Sequence, residues 1–268
     1  MSNGAWPPRL ATLYNCGMQL PSTEICVTCT WFQKRLCWML SSILQQEGEV
    51  PHIVFNVGYP VNNGSPTTEQ VCTFFRGEGL DITEVPFPDM EVIQYRGLAR
   101  NRQVAASKCD WLLFADTDMT YSSRFFADLG RRLAADLKDE RRCISASRVS
   151  LAKDHCKDYF NRVDTRTYPC VVDGAGSLDA WPVFQISKNV GAGYFQLIRR
   201  DVVMSDLGGI YVPATECADR SWKVGQKARS DSQFRRRCSG LKRISTLPQY
   251  HLNHERDNEL GYHTTHQR

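Results

Sequence analysis

Residues 112–121 read LLFADTDMTY, an apolar run that ends in two carboxylates, Asp116 and Asp118, one residue apart. An ionised carboxylate is costly to bury without a cation or hydrogen-bond donors. Two chemistries supply such a partner: a divalent metal at the carboxyl edge of a sheet, or a phosphatase-type site with Asp116 as nucleophile and a second acid beside it. Elsewhere, Asp231 stands near the head of the helix-like run SDSQFRRRC, and His251 and His254 are spaced i, i+3 near the C-terminus. Both histidines reach one metal if the chain turns after PQY; otherwise one of them is a solvated surface residue. Cys26 and Cys29 form the close pair CVTC. No second Cys-x-x-Cys follows, and strand alternation turns the two thiols to opposite faces, so zinc and redox chemistry are disfavoured.

The elements that must position these residues alternate. EICVTCT (24–30) reads as a first strand, and WFQKRLCWMLSSILQQ (31–46) as a helix with Phe32, Leu36, Met39, Leu40 and Ile43 on one face. HIVFNVGY is a second strand, TEQVCTFFRGEG a helix and LDITEVPF an extended segment, and RGLARNRQVAASK is a helix leading into DWLLFADTD. SSRFFADLGRRLAADLKDE reads as a long helix with Ser122 or Ser123 as N-cap, followed by the strand RCISASRVS. Residues 152–192 are irregular and fit a lid or substrate loop. YFQLIRRDVVMSDLGGI restores order, and LKRISTLPQYHLNHERD closes the chain as a strand ending in the two histidines. Alternation of this kind predicts an α/β fold with a mostly parallel sheet flanked by helices. Ligands of such sheets bind outside the carboxyl ends of the strands, where Asp116 and Asp118 fall.

The 268 residues are 42% hydrophobic and 23% charged, enough for one large core, and the expected organisation is an N-terminal extension (1–22) and a single domain (23–268). A net charge of +4 is too small to imply a nucleic-acid partner by itself. The eleven cysteines are odd in number and scattered, unlike a disulfide framework, and favour a reducing, cytoplasmic setting. The N-terminus lacks the pattern of a signal peptide, and no segment is apolar enough to span a bilayer.

The order of motifs resembles the nucleotide-sugar glycosyltransferases of the GT-A fold, family 2 type, over roughly residues 23–256. A first strand and helix end in SILQQ, Ala99-Arg100-Asn101 lies on the helix before the Asp-x-Asp strand, Arg199, Arg200, Gly208 and Gly209 form a later turn, and Asp231 opens a helix with Phe234 and Arg236 behind it. A C-terminal histidine, His251 or His254, completes the set. The resemblance implies a donor-binding half (about 23–120) and an acceptor half (about 121–268). It also implies an inverting, metal-dependent hexosyl transfer from a nucleoside diphosphate sugar, a UDP-sugar foremost, to a hydroxyl. In that reading Asp118 binds Mn²⁺ or Mg²⁺, the imidazole favouring Mn²⁺, and Asp116 reaches the ribose or the metal's water. Asp231 is the general base, with helix capping as its alternative. Arg100 contacts the nucleotide or pairs locally on its helix. Thr28 and Thr30 contact the base or merely complete a strand. Two departures stand out. Asn56 occupies the nucleotide-contacting position that is usually acidic, and Ser230-Asp231 replaces an acid pair.

Among Arg220, Lys223, Lys227, Arg229, Arg235, Arg236, Arg237, Lys242 and Arg243 only Asp231 is acidic. Such a strip suits a polyanionic acceptor, hydroxymethylated DNA or an acidic glycan, or else is a solvated face. Two other classes compete with the transferase: a haloacid dehalogenase-like phosphatase, whose strand-Asp-x-Asp-x-Thr signature LLFADTDMT also fits, and a nucleotide-sugar or nucleic-acid binding protein without catalysis. The phosphatase motif opens its domain and is followed by a lysine and a late acidic pair. Here it follows three strand and helix units.

Overall fold

The structure, a computed structural model, describes residues 19–30, 32–61, 66–88, 96–152, 154, 156, 167–177, 183–187, 194–213 and 230–252. Their strands are β1 (Thr23–Thr28), β2 (Ile53–Pro60), β3 (Asp81–Phe87), β4 (Trp111–Ala115), β5 (Met119–Thr120), β6 (Cys143–Leu151), β7 (Val183–Ser187), β8 (Phe195–Arg199) and β9 (Leu241–His251). The helices are α1 (Gln33–Leu44), α2 (Thr68–Gly77), α3 (Arg96–Ala106), α4 (Phe125–Ala134), α5 (Arg200–Asp206) and α6 (Ser230–Arg237).

All nine described strands join one sheet in the order β3-β2-β1-β4-β8-β6-β9-β5, with β7 on β6. The half β3-β2-β1-β4 is parallel, as the crossovers α1, α2 and α3 require. β8 enters antiparallel to β4, and β9 runs parallel to β6, so most of the paired register is parallel but the second half is mixed. Two layers of helices cover the sheet. Ile25, Val27, Leu113 and Ala115 pack with α1, α2 and α4 on one face; Cys26, Leu112 and Phe114 pack with α3, α5 and α6 on the other. Period-two alternation along β1 and β4 makes this division.

Strands and helices of the first half fall within a residue or two of expectation. The long helix expected over 122–140 does not: α4 ends at Ala134, where Ala135 has ψ −93°. Its N-cap is Arg124, without a side-chain cap, in place of Ser122 or Ser123. The two-residue strand β5 and the edge strand β7 had no signal in the sequence. Of the segment 152–192, most lies outside the described residues, as does the extension up to residue 18. No described helix is long and apolar enough to cross a membrane.

Candidate active site

Asp116 is the first residue beyond β4 and continues the face of Leu112 and Phe114, which looks toward α3 and α6. It meets Arg100 of α3, whose Nη2 lies 3.8 Å from Asp116 Oδ1. The same guanidinium makes its close contact with Asp231 Oδ1 through Nη1 and donates to Tyr211 Oη at 2.5 Å. Tyr211 Oη lies 2.9 Å from Asp231 Oδ1 and donates to Gln196 Oε1, while Gln196 Nε2 donates to the Asp231 carbonyl at 3.0 Å. The Arg100 side chain is 2% exposed, against 17% for Asp231. Burial alone would lower the pKa of Arg100, yet Asp231, Tyr211 and Asp116 together hold it above its ordinary value. Burial drives the Tyr211 hydroxyl well above its usual range. Of the two expectations for Arg100, pairing within the protein is the one with contacts here: its guanidinium braces Asp231, Tyr211 and Asp116.

The Ala-Arg-Asn run acquires a physical meaning residue by residue. Ala99 is buried against Phe87. Asn101 Oδ1 accepts from the backbone N–H of Tyr211 (2.6 Å) and Val212 (3.1 Å), while its Nδ2 donates to the Val212 carbonyl (2.7 Å). The turn it holds is built by Gly208 and Gly209, both left-handed at φ +67° and +72°, where residues with side chains are strained. Arg237 secures that turn, donating to the carbonyls of Leu207, Ile210 and Tyr211. The Tyr211 ring then stacks on Phe234 with centroids 4.1 Å apart. Tyr211 and Gln196 are the site residues that the motif order missed. Their signals were a tyrosine just beyond a Gly-Gly turn and a lone amide in the apolar strand YFQLI.

Asp118 goes a different way. Beyond the turn closed by Met119 N–H on the Asp116 carbonyl (3.3 Å), β5 pairs Met119 with His251 of β9. The Leu252 N–H donates to the Asp118 carbonyl at 3.0 Å. This clip brings Asp118 Oδ2 to 3.3 Å from His251 Nε2, each side chain 19% exposed. Two ligands on neighbouring positions of an octahedral divalent ion lie about 3 Å apart, so the pair fits a shared cation. Among the described residues no group of three or more His, Cys, Asp or Glu side chains offers a fuller metal cage. A cation here would complete its shell with donor phosphates and water, the usual arrangement for Mg²⁺-type sites. His254 lies outside the described residues.

At the carboxyl end of β1, Thr28 and Thr30 are half-buried, and the buried Thr30 hydroxyl has no hydrogen-bond partner among the described residues. Across from Thr28 in the β1–β2 register is Gly58, where a Cβ would come within 2.9 Å of the Phe87 ring. Asn56, expected at the nucleotide, is instead fully buried. Its Nδ2 donates to Glu24 Oε1 at 2.6 Å and to the Gln103 carbonyl at 3.3 Å. Glu24 is a buried carboxylate that also takes the Ser107 hydroxyl and the Lys108 N–H at 3.3 Å. Asn56 serves that charge, which is why an acid is absent from its position.

Arg237, counted in the basic strip, is half-buried and acts as a structural strut through its three carbonyl contacts. Arg236 and Arg243 are exposed, whereas Arg220, Lys223, Lys227 and Arg229 lie outside the described residues. Cys26 and Cys29 sit in opposite core layers, and burial pushes the Cys29 thiol up to about 11. A cleft of about 510 Å³ opens at the other end of the sheet, lined by Lys108, Trp111, Lys138, Arg199 and Arg200 among others. It shares no residue with the carboxylate site.

No family model and no curated protein sequence matches the chain. Its structure does match solved ones. S. aureus TarS superposes with a TM-score of 0.53 at 12% identity, over 86% of this chain and 36% of TarS. TarS 1-349 in complex with UDP gives 0.53 at 13% identity, over 87% and 60%. The mannosyltransferase PcManGT from Pyrobaculum calidifontis, in complex with GDP-Man and Mn2+, gives 0.52 at 13% identity, over 87% and 57%. The chain thus spans about a third to three-fifths of the length of these neighbours, and identities this low carry the fold alone. In its sheet order, its helical layers and its likeness to these structures, the chain has the GT-A fold of nucleotide-sugar glycosyltransferases.

Proposed function

We propose that the chain is an inverting, metal-dependent glycosyltransferase that moves a hexosyl group from a nucleoside diphosphate sugar, UDP-linked foremost, to an acceptor hydroxyl. The observation that carries this reading is the convergence of Asp116, Asp118, Asp231 and His251, from separated parts of the sequence, around one end of the sheet. That end is where ligands of open α/β sheets bind. The neighbours bound to UDP and to GDP-Man with Mn2+ support a nucleotide-sugar donor.

Asp118 and His251, with His254 as a further candidate, hold Mn²⁺ or Mg²⁺. When bound, that ion neutralises charge developing on the departing diphosphate. Residues 23–120 hold the donor, Thr28 and Thr30 facing its base and Asp116 its ribose. Residues 121–268 address the acceptor. Asp231 accepts the acceptor's proton as the hydroxyl oxygen attacks the anomeric carbon. Its Oδ1 is held by the Arg100 guanidinium and the Tyr211 hydroxyl, which fixes the carboxylate's orientation. A single displacement with one base inverts the anomeric configuration.

Incubation with a panel of nucleotide sugars and Mn²⁺ tests the reading, since a transferase slowly hydrolyses its own donor without an acceptor. Asp231→Asn should lower turnover by about 10² to 10⁴, the usual contribution of a positioned base, with donor affinity unchanged. A phosphoryl group trapped on Asp116 would overturn the proposal.

A further inference from the structure

On β9, Gln249 precedes His251 by two residues and shares its sheet face, opposite to Tyr250, which packs in a core cluster with Trp38 and Val149. Register places Arg148 of β6 directly beside Gln249, and Ser150 beside His251. Gln249 is fully buried, yet neither its Nε2 nor its Oε1 has a hydrogen-bond partner among the described residues. The buried Nε of Arg148 also lacks one. No described carboxylate pairs with Arg148; the guanidinium is held instead over the Tyr194 ring, 4.8 Å from its centroid. Buried amides and guanidinium groups are nearly always satisfied. A fully buried amide and the buried Nε of a half-buried arginine, both left open and in line with the histidine of the cation pair, describe a place for a polar ligand.

Adjacent strands set the two backbones about 5 Å apart, so paired residues stand side by side on one face of the sheet. A carboxamide both donates and accepts, which suits a pair of neighbouring hydroxyls. A guanidinium fork suits a carboxylate or phosphate, and a neutral ligand would leave this cation without a counter-charge. We propose that Arg148 and Gln249 form a subsite for a sugar bearing an acidic group, Gln249 reading its hydroxyls and Arg148 its carboxylate or phosphate. The subsite rests on the transferase reading and names its substrate class. The acidic sugar belongs either to the acceptor or to the donor, and the two sources are separable by experiment.

Calorimetry on the full chain with Mn²⁺ compares two pairs of probes. In the acceptor arm, methyl glucuronide and methyl glucoside are titrated with UDP already bound. In the donor arm, UDP-glucuronate is compared with UDP-glucose. The acidic member of one pair should bind at least tenfold more tightly. Arg148→Gln should erase that preference, Arg148→Lys should retain part of it, and Gln249→Leu should weaken both members of the pair alike. UDP affinity should be the same in every variant, which monitors folding and tests the transferase reading separately. Equal affinity for acidic and neutral sugars in both arms, or a preference that survives Arg148→Gln, would overturn the subsite even if UDP binding is intact.

Discussion

Arg100→Met removes the charge that braces Asp231 while keeping an unbranched side chain of similar reach. The guanidinium is 2% exposed and touches Asp231, Tyr211 and, at 3.8 Å, Asp116. Removing one partner of a buried ion pair costs about 3–5 kcal/mol, because the other charge stays behind uncompensated. Asp231 and Asp116 keep 17% and 32% of their side-chain surface in contact with solvent, so the lower end, about 3 kcal/mol, applies. With an m-value of about 3 kcal/mol/M, the urea midpoint should fall by about 1 M. Asp231→Asn in the same background removes the stranded charge, so the double variant should recover about 2 kcal/mol relative to the sum of the singles. Because Arg100 is turned inward, UDP affinity with Mn²⁺ should change little while turnover drops, as Asp231 loses one of the two groups fixing its Oδ1. Urea unfolding of the wild type, both singles and the double measures the coupling. Additive stability changes, within about 0.5 kcal/mol, would refute the brace, and so would a large loss of UDP affinity.

The other predictions concern the cation pair and the turn behind Tyr211. Asp118→Ala should abolish the chelator-sensitive part of UDP binding by calorimetry, since Asp118 Oδ2 and His251 Nε2 are set to share one ion; equally tight binding with and without chelator would remove that assignment. Arg237→Gln leaves the carbonyls of Leu207, Ile210 and Tyr211 short of donors. It should cost about 1–3 kcal/mol in urea unfolding and lower turnover by loosening Tyr211. A weaker salt dependence of acceptor binding with unchanged stability would return Arg237 to the basic strip.

Local pattern made the parallel half of the sheet legible. Short apolar runs such as EICVT and WLLFA, separated by amphipathic helices such as the one beginning at Gln33, carry their own evidence of strand and crossover. Asp116, Asp118 and His251 stand out in the sequence because their types are unusual at the ends of apolar runs, whereas Asp231 stands out only through the order of motifs. What escaped the sequence depends on distant partners. Asn56 looks like a ligand contact until Glu24, thirty-two residues away, is seen to need its amide. Arg237 sits in a basic strip, yet its charge is taken up by carbonyls of a turn that no periodicity predicts. Two-residue β5 offers no pattern, although it clips His251 to the Asp-x-Asp turn.

The single residue between Asp116 and Asp118 now has a structural reason. Asp116 leaves β4 in phase with Leu112 and Phe114, so alternation delivers it to the α3–α6 face, where Arg100 links it to Asp231. Two residues further on, an uninterrupted strand would present Asp118 to the same face and stack both carboxylates against one guanidinium. The turn closed by Met119 on the Asp116 carbonyl breaks that phase, and the pairing of Met119 with His251 turns Asp118 toward β9. One motif thereby supplies two neighbouring environments: an acid tied through a buried cation to the proposed base, and an acid beside an imidazole at cation-sharing distance. Proton acceptance and charge neutralisation need such separation. A divalent ion on Asp231 would occupy the oxygens that must take the proton, whereas Arg100, buried and fixed, holds Oδ1 and orients that carboxylate.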